Sequence, residues 1–287
     1  MVIKKIGILG AGAMGGGIAQ LAAQRGFEVI LGDVDIKYVD GAVARMEKLM
    51  ARSVEKGKIT VEEKDAALAR ITKTAKLEDF AAADFFIEAV VEDFAVKTAA
   101  LAKAEKILRP EVVMASNTSS MSITGLGAAT GHPEKFIGTH FFNPAPVMRL
   151  CEIIRGALTS DDTYATAAGL ATALGKTPVE VKKDTPGFIV NRCMIPQFIE
   201  AIRLVDEGVA TPQDIDTAVK LGLNYPMGPF ELMDRTGIDI ALLTMDYLYS
   251  ETGRELWKAP HAIKSMIRAG RLGDKTGAGW YAKEKTA

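Results

Sequence analysis

The chain has 287 residues, enough for two domains of ordinary size, and 48% of them are hydrophobic, which supports a sizeable core. Its 35 basic residues balance 36 acidic ones, so the net charge of −1 gives no general attraction to nucleic acid or to an anionic membrane. Cys151 and Cys193 form no CxxC pair and the three histidines lack HxxxH spacing, which argues against a disulfide framework and a zinc site.

The first half of the chain alternates short apolar runs with helical patterns. The N-terminal run, residues 3–9, is short and followed by glycine, so it predicts a strand rather than a signal sequence, and we expect a cytoplasmic enzyme. Helical patterns at 11–25 and 94–108 lie between strand patterns, which favours a parallel sheet covered on both faces. The predicted strands are residues 3–9, 28–33, 84–90, 112–116, 136–142, 150–154 and 178–181.

Residues 36–70 form a long, charged, helix-periodic stretch, where a simple crossover needs only about a dozen residues. This stretch predicts a pair of helices that projects from the sheet. Strand patterns end near Asp184, and Thr211 followed by Pro212 is typical of a helix start. The later predicted helices are residues 188–207, 211–221, 229–250 and 261–269. We therefore predict an α/β fold with a doubly wound sheet in residues 1–184, followed by an all-α domain in residues 185–287.

A glycine-rich turn joins the first predicted strand to the first predicted helix. It reads Gly10, Ala11, Gly12, Ala13, Met14 and Gly15. Gly10 would permit a tight turn, Gly12 would let the backbone approach a pyrophosphate, and Gly15 would let the helix pack on the strand. The diphosphate would bind the free N–H groups of the helix N-terminus. The turn predicts a dinucleotide-binding domain of the Rossmann type; FAD as the ligand, or a glycine turn that binds nothing, are the alternatives.

Asp33 ends the next predicted strand, 18 positions after Gly15. A carboxylate at this place would accept hydrogen bonds from the 2′-hydroxyl of the adenosine ribose. It would also repel the 2′-phosphate of NADP. The sequence therefore predicts NAD as the cofactor.

Three further segments resemble the signature segments of the L-3-hydroxyacyl-CoA dehydrogenase family. They read SNTSS at 116–120, GTHFFNP at 138–144 and DTPGFIVNR at 184–192, and the stretches FIEAVVE at 86–92 and GDKTGAGWY at 273–281 resemble the same family. The resemblance implies an NAD-binding Rossmann domain, a helical domain that binds substrate and forms a homodimer, and an acyl-CoA substrate. The chain length is that of the short bacterial form, which implies 3-hydroxybutyryl-CoA.

His140 is the predicted acid–base residue. Oxidation of a secondary alcohol moves a proton from oxygen, and a neutral imidazole suits that transfer. Of the three histidines, only His140 ends a predicted strand, where sites gather in a doubly wound sheet. Glu152 matches the family residue that orients the imidazole, and an antiparallel pair of strands joined at Asn143 would bring the two together. The alternative for Glu152 is a solvated acid on an edge strand.

The resemblance also implies roles for polar residues around the histidine. Ser119 and Asn191 would polarise the substrate oxygen, although Ser119 could simply cap a helix. Further expected cofactor contacts carry over from the family, and the charged ones among them could instead face water. They are Asn117, Ser119, Asn143, Glu92 and Lys97.

Lys48, Arg52 and Lys56 lie four residues apart and would share one helix face. This basic stripe is a candidate clamp for the CoA phosphates, or else a solvated face. Two other functions stay open for the whole chain. The first is an NAD-dependent sugar-acid dehydrogenase of the gulonate type, which keeps the HFFNP segment, and the second is a non-enzymatic dinucleotide-binding protein.

Overall fold

The computed structural model describes residues 2–282 of the chain. They fall into two compact units, which divide the chain into Met1–Thr185 and Pro186–Ala287. Each unit has its own hydrophobic core. Within residues 2–282, no helix has both the length and the apolar character needed to cross a membrane.

An eight-stranded sheet forms the centre of the first unit. The strands are β1 (Lys5–Leu9), β2 (Glu28–Gly32), β3 (Ile71–Thr74), β4 (Phe85–Glu88), β5 (Val113–Ser116), β6 (Phe136–Phe141), β7 (Leu150–Arg155) and β8 (Thr177–Val181). Their order across the sheet is β3-β2-β1-β4-β5-β6-β7-β8. Strands β1 to β6 are parallel, β7 runs antiparallel to β6, and β8 is parallel to β7. The order reverses beside β1, which confirms the doubly wound sheet.

Six helices accompany this sheet. They are α1 (Ala13–Gln24), α2 (Ile36–Glu55), α3 (Val61–Ala69), α4 (Phe94–Glu105), α5 (Ile123–Gly127) and α6 (Asp161–Ala173). The predicted helical pair is confirmed as α2 and α3, and both pack against α1. Met46 and Met50 on α2 are buried in that contact region, and a capping box between Thr60 and Glu63 starts α3.

The sequence patterns missed three elements of this unit. Strand β3 lies at the sheet edge and reads ITKT, a short and mostly polar run that is half exposed. Helix α5 is a single short turn of five residues. Helix α6 is rich in Ala and Thr, so its apolar face is too weak for periodicity to reveal it.

The second unit is helical, as predicted. Its helices are α7 (Val190–Asp206), α8 (Pro212–Leu223), α9 (Pro229–Thr236), α10 (Ile238–Thr252) and α11 (His261–Arg268). The expected helix start at Thr211 is confirmed, because its side chain accepts the Asp214 N–H. The single helix predicted for residues 229–250 is wrong. Gly237, with φ of 105°, ends α9 and begins α10, in a conformation that glycine adopts without strain.

Two buried carboxylates fix the C-terminal segment against the helices of the second unit. Asp234 accepts the backbone N–H groups of Trp280 and Tyr281, and Asp216 accepts the Tyr281 O–H at 2.6 Å. Asp216 also accepts the N–H groups of Phe230 and Glu231 in the first turn of α9. Burial raises the pKa of Asp234 above its usual value, although the two N–H donors oppose that shift.

Candidate active site

The glycine turn between β1 and α1 has the geometry that a dinucleotide needs. Gly10 has φ of 110°, and a Cβ there would lie 2.3 Å from the Ala89 carbonyl oxygen. A Cβ on Gly15 would lie 1.8 Å from the Gly10 oxygen, whereas a Cβ on Gly12 would meet open space. Gly12 is the N-cap of α1, and the first turn of the helix carries no acidic residue. The space beside Gly12 and the helix N-terminus therefore fit a diphosphate.

Asp33 follows β2 and faces the turn. Its Oδ2 accepts the Ala11 N–H and its Oδ1 accepts the Val34 N–H, both at 2.7 Å. Each carboxylate oxygen has a second lone pair, which can accept a ribose hydroxyl. The Arg45 guanidinium donates to the Ala11 carbonyl at 3.1 Å, so α2 also holds the turn. No sequence pattern marked Arg45 as part of the site, since an exposed arginine on a helix is a common surface residue.

His140 and Glu152 form a buried hydrogen-bonded pair. They are register partners in the antiparallel pairing of β6 with β7, and His140 Nδ1 lies 2.7 Å from Glu152 Oε2. His140 is 5% exposed and Glu152 is 0% exposed, so the expectation that Glu152 could be a solvated edge acid is wrong. A carboxylate accepts only, which assigns the Nδ1 proton to the imidazole and the lone pair of the neutral ring to Nε2.

The loop after β5 lies beside the end of β6. The Asn117 N–H donates to the Glu88 carbonyl, and Asn117 Oδ1 accepts the Phe141 N–H at 3.0 Å. The Ser119 N–H donates to Glu92 Oε1 at 2.9 Å. Ser122 caps α5 by accepting the Gly125 N–H, so the expectation that Ser119 could be the helix cap is wrong.

Glu92 and Lys97 meet a third charged residue that the sequence analysis did not single out. Lys97 is 1% exposed, and its Nζ lies 2.9 Å from Glu88 Oε1 and 3.1 Å from Glu92 Oε2. The expectation that Lys97 could simply face water is wrong. Lys97 is the fourth residue of α4, and no sequence pattern marked it as buried. Glu88, at the end of β4, is the first acidic residue of the FIEAVVE stretch. Whether Glu92 and Lys97 contact the cofactor stays a prediction.

Lys176, which the sequence analysis did not single out, fixes the segment that contains Asn143. Asn143 is exposed and comes two residues after the end of β6. Lys176 Nζ donates to the carbonyl oxygens of Ala145 and Met148 at 2.6 and 2.7 Å. Burial lowers the pKa of Lys176. Burial also raises the pKa of the neighbouring Cys151 thiol, which argues against a reactive cysteine here.

The remaining predicted site residues lie elsewhere. Asn191 is buried in the first turn of α7, within the second unit. Lys48 and Arg52 lie on α2 and Lys56 is its C-cap, and all three are exposed. Their expected roles stay predictions. Among residues 2–282, no group of three or more His, Cys, Asp or Glu side chains has the arrangement of a metal site.

The doubly wound sheet, the glycine turn with Asp33, and the His140–Glu152 pair at the end of β6 define an oxidoreductase that uses a nicotinamide dinucleotide. Comparison with protein families gives the same class. The family model described as 3-hydroxyacyl-CoA dehydrogenase, NAD binding domain, matches residues 5–185, and the model for the C-terminal domain of the same family matches residues 187–283. The chain belongs to the 3-hydroxyacyl-CoA dehydrogenase family, and NAD is its cofactor.

Several relatives match over nearly their whole length. A probable 3-hydroxybutyryl-CoA dehydrogenase of Deinococcus radiodurans is 44% identical over 96% of this chain and 99% of its own. One of Bacillus subtilis with the same description is 44% identical over 100% of both chains. Among solved structures, the (S)-3-hydroxybutyryl-CoA dehydrogenase of Ralstonia eutropha has a TM-score of 0.94 and 43% identity, covering 99% of this chain and 100% of its own.

Proposed function

We propose that this protein interconverts L-3-hydroxyacyl-CoA and 3-ketoacyl-CoA with NAD, and that 3-hydroxybutyryl-CoA is its substrate. The observation that carries the proposal is the buried His140–Glu152 pair at the end of β6. The near full-length relatives named for 3-hydroxybutyryl-CoA support the choice of substrate. They do not favour the sugar-acid dehydrogenase or the non-enzymatic reading.

The proposed mechanism begins with the proton of the substrate hydroxyl. His140 Nε2 accepts that proton while the hydride leaves the carbon that bears the hydroxyl, so the alcohol becomes a ketone. Glu152 holds the Nδ1 proton, keeps the ring in the required tautomer and stabilises the imidazolium that forms. The chemistry that bound NAD supplies is acceptance of the hydride, and its return in the reverse direction. Ser119 donates a hydrogen bond to the reacting oxygen, and Asn191 is the predicted second donor.

Cofactor binding is assigned to the turn and to the ends of neighbouring strands. Gly10, Gly12 and Gly15, with Ala13 and Met14 between them, would hold the diphosphate, and Asp33 would hold the adenosine ribose. The remaining proposed cofactor contacts are Glu92, Lys97, Asn117, Ser119 and Asn143. We assign residues 1–184 to cofactor binding and residues 185–287 to substrate binding and dimerisation.

The CoA part of the substrate carries phosphates. Lys48, Arg52 and Lys56 are exposed along one stretch of α2, and we propose that they bind these phosphates. We also propose that two copies of the chain associate through the second unit. Its exposed apolar side chains on α8 and α10 support that interface. The cytoplasmic location expected from the sequence stays a prediction.

The test is NADH oxidation with acetoacetyl-CoA, measured for the wild-type protein, for His140→Gln and for the matched control His132→Gln. His132 is a surface histidine whose side chain is 48% exposed. We expect turnover in the wild type and the control, and a loss of about 10²- to 10⁴-fold in kcat for His140→Gln. NADH binding, measured by fluorescence, should stay near normal in all three. Retention of most activity by His140→Gln would exclude the acid–base role of His140.

A further inference from the structure

A buried ion cluster connects helix α4 to the loop that contains Ser119. It consists of Glu88 at the end of β4, Glu92, and Lys97 on α4. Lys97 Nζ faces three oxygen acceptors, namely Glu88 Oε1 at 2.9 Å, Glu92 Oε2 at 3.1 Å and the Val90 carbonyl at 3.3 Å. An ammonium group has three N–H donors, so the number of acceptors matches the number of donors.

Glu92 extends the cluster to the loop. While Oε2 faces Lys97, Oε1 accepts the Thr118 O–H at 2.5 Å and the Ser119 N–H at 2.9 Å. Glu88 extends the cluster to the neighbouring strand β5, because its Oε2 accepts the Ser116 O–H at 2.6 Å. The residues on either side of Asn117 are therefore held by two carboxylates that share one ammonium.

Burial makes this arrangement rigid. The side chains of Lys97 and Glu88 are 1% and 0% exposed, and a charge that deep in a protein is tolerated only with its partners in place. Rotation of Glu92 away from the loop would leave the buried Lys97 ammonium with one acceptor fewer. The ion pair with Lys97 therefore fixes the Glu92 carboxylate, although the Glu92 side chain is 42% exposed.

We propose that Glu92 and Lys97 are positioning residues, which fix the backbone at Thr118 and Ser119 so that the Ser119 hydroxyl is oriented before substrate binds. This inference rests on the proposed function of Ser119. It is a second role beside the cofactor contacts proposed for Glu92 and Lys97, and the two roles have different kinetic effects. A positioning residue changes kcat when it is lost, because misplacement of a donor by about 1 Å can cost up to about 10²-fold. A cofactor contact changes the Kd for NADH.

Three variants break the cluster at different points. Glu92→Ala removes the acceptor for Ser119. Glu92→Gln keeps a carbonyl oxygen for Ser119 but loses the charge that pairs with Lys97. The double variant Lys97→Met/Glu88→Gln removes the ammonium and one carboxylate together, so no uncompensated charge is buried and the protein can fold. Lys103→Met is the matched control, since Lys103 is an exposed lysine in the last turn of the same helix.

The experiment combines amide hydrogen exchange of the cofactor-free protein, over peptides that contain residues 117–121, with NADH titrations and turnover of acetoacetyl-CoA. We expect faster exchange in these peptides and a fall in kcat of about ten- to hundredfold for Glu92→Ala and the double variant. Glu92→Gln should lie between them and the wild type, and Lys103→Met should match the wild type. The Kd for NADH reports the proposed cofactor contacts separately, and the fall in kcat should persist at saturating NADH.

Unchanged exchange in Glu92→Ala would overturn the proposal. So would a kcat that is retained at saturating NADH, because that result leaves cofactor contact as the only role of the two residues. If the wild type itself fails to reduce acetoacetyl-CoA, the proposed function fails. The exchange measurements still decide in that case whether Glu92 and Lys97 hold the loop.

Discussion

Asp33 has two roles beside the glycine turn. It accepts a hydrogen bond from the turn, which the structure contains, and it selects the cofactor, which we propose. Its Oδ2 accepts the Ala11 N–H, and the same carboxylate would bind the adenosine ribose and repel a 2′-phosphate. Asp33→Asn separates them, because the amide oxygen can still accept the Ala11 N–H while the charge is lost. We expect the preference for NADH over NADPH to fall by about tenfold or more, which corresponds to about 1.4 kcal/mol.

The measurement for Asp33 is the ratio of kcat/KM with NADH to kcat/KM with NADPH. Asp40→Asn is the control, because it removes the same negative charge as Asp33→Asn. Asp40 is an exposed acid on α2 that forms an ion pair with Lys73. An unchanged ratio in Asp33→Asn would show that another residue selects the cofactor.

At the scale of single residues, the sequence was sufficient to predict site residues that belong to short local patterns. The glycine turn is one example, because backbone contacts require Gly10 and Gly15, while Gly12 borders the open space that fits a diphosphate. The pairing of His140 with Glu152 was expected from the family resemblance and from a short connection between antiparallel strands, and the register of β6 with β7 places the two residues opposite each other. The burial of Lys97 was not predictable. It depends on Glu88, which lies on another element, and a lysine on a helix is usually exposed.

Asp84 ties together the starts of several elements of the sheet. Its Oδ2 accepts the Lys4 and Lys5 N–H groups at the beginning of β1, and its Oδ1 accepts a bond from the Arg109 guanidinium before β5. Burial raises the pKa of Asp84, but the Lys4 N–H, the Arg109 guanidinium and the Lys5 N–H outweigh it and hold the pKa below its usual value.

We expect Asp84→Asn to lower the free energy of unfolding at pH 7 by about 1–2 kcal/mol, because hydrogen bonds to a charged partner are lost. Since the folded-state pKa of Asp84 is depressed, this stabilisation is present above the unfolded pKa near 3.8 and is lost as the pH falls through the folded pKa. The difference in unfolding midpoint between wild type and variant should therefore shrink below about pH 4.

The control for this effect is Asp65→Asn, which removes an exposed carboxylate whose ion pair with Lys64 should contribute less than about 0.5 kcal/mol. Thermal unfolding at pH 7, 5 and 3.5 gives the comparison. A difference between wild type and Asp84→Asn that is equal at all three pH values would contradict the charge-based explanation.

At the scale of elements, apolar runs predicted seven of the eight strands, whereas the edge strand β3 was missed. Ile71–Thr74 has one apolar residue followed by three polar ones, and two of its four residues are exposed, so hydrophobicity did not reveal it. The break between α9 and α10 escaped for a different reason. Apolar periodicity continues across Gly237, and a positive φ at one glycine cannot be predicted from periodicity.

At the scale of the whole molecule, the open question is how the chain associates. The second unit exposes apolar side chains at the end of α8 and on α10, with Leu221 82% and Leu243 64% exposed. Ile240 and Leu243 lie three residues apart and share one face of α10. These exposed side chains on α8 and α10 support the interface with a second copy of the chain that we propose.

We expect the double variant Ile240→Asp/Leu243→Asp to weaken self-association by at least about a hundredfold, because two carboxylates would be desolvated without partners. Leu158→Asp is the control, since Leu158 is 65% exposed but belongs to the first unit. Sedimentation velocity over a range of protein concentrations measures the effect. A wild-type protein that sediments as a monomer at all concentrations would exclude the homodimer. A variant that remains dimeric would exclude this face of α10, because an interface centred on Ile240 and Leu243 cannot bury two charges without dissociating.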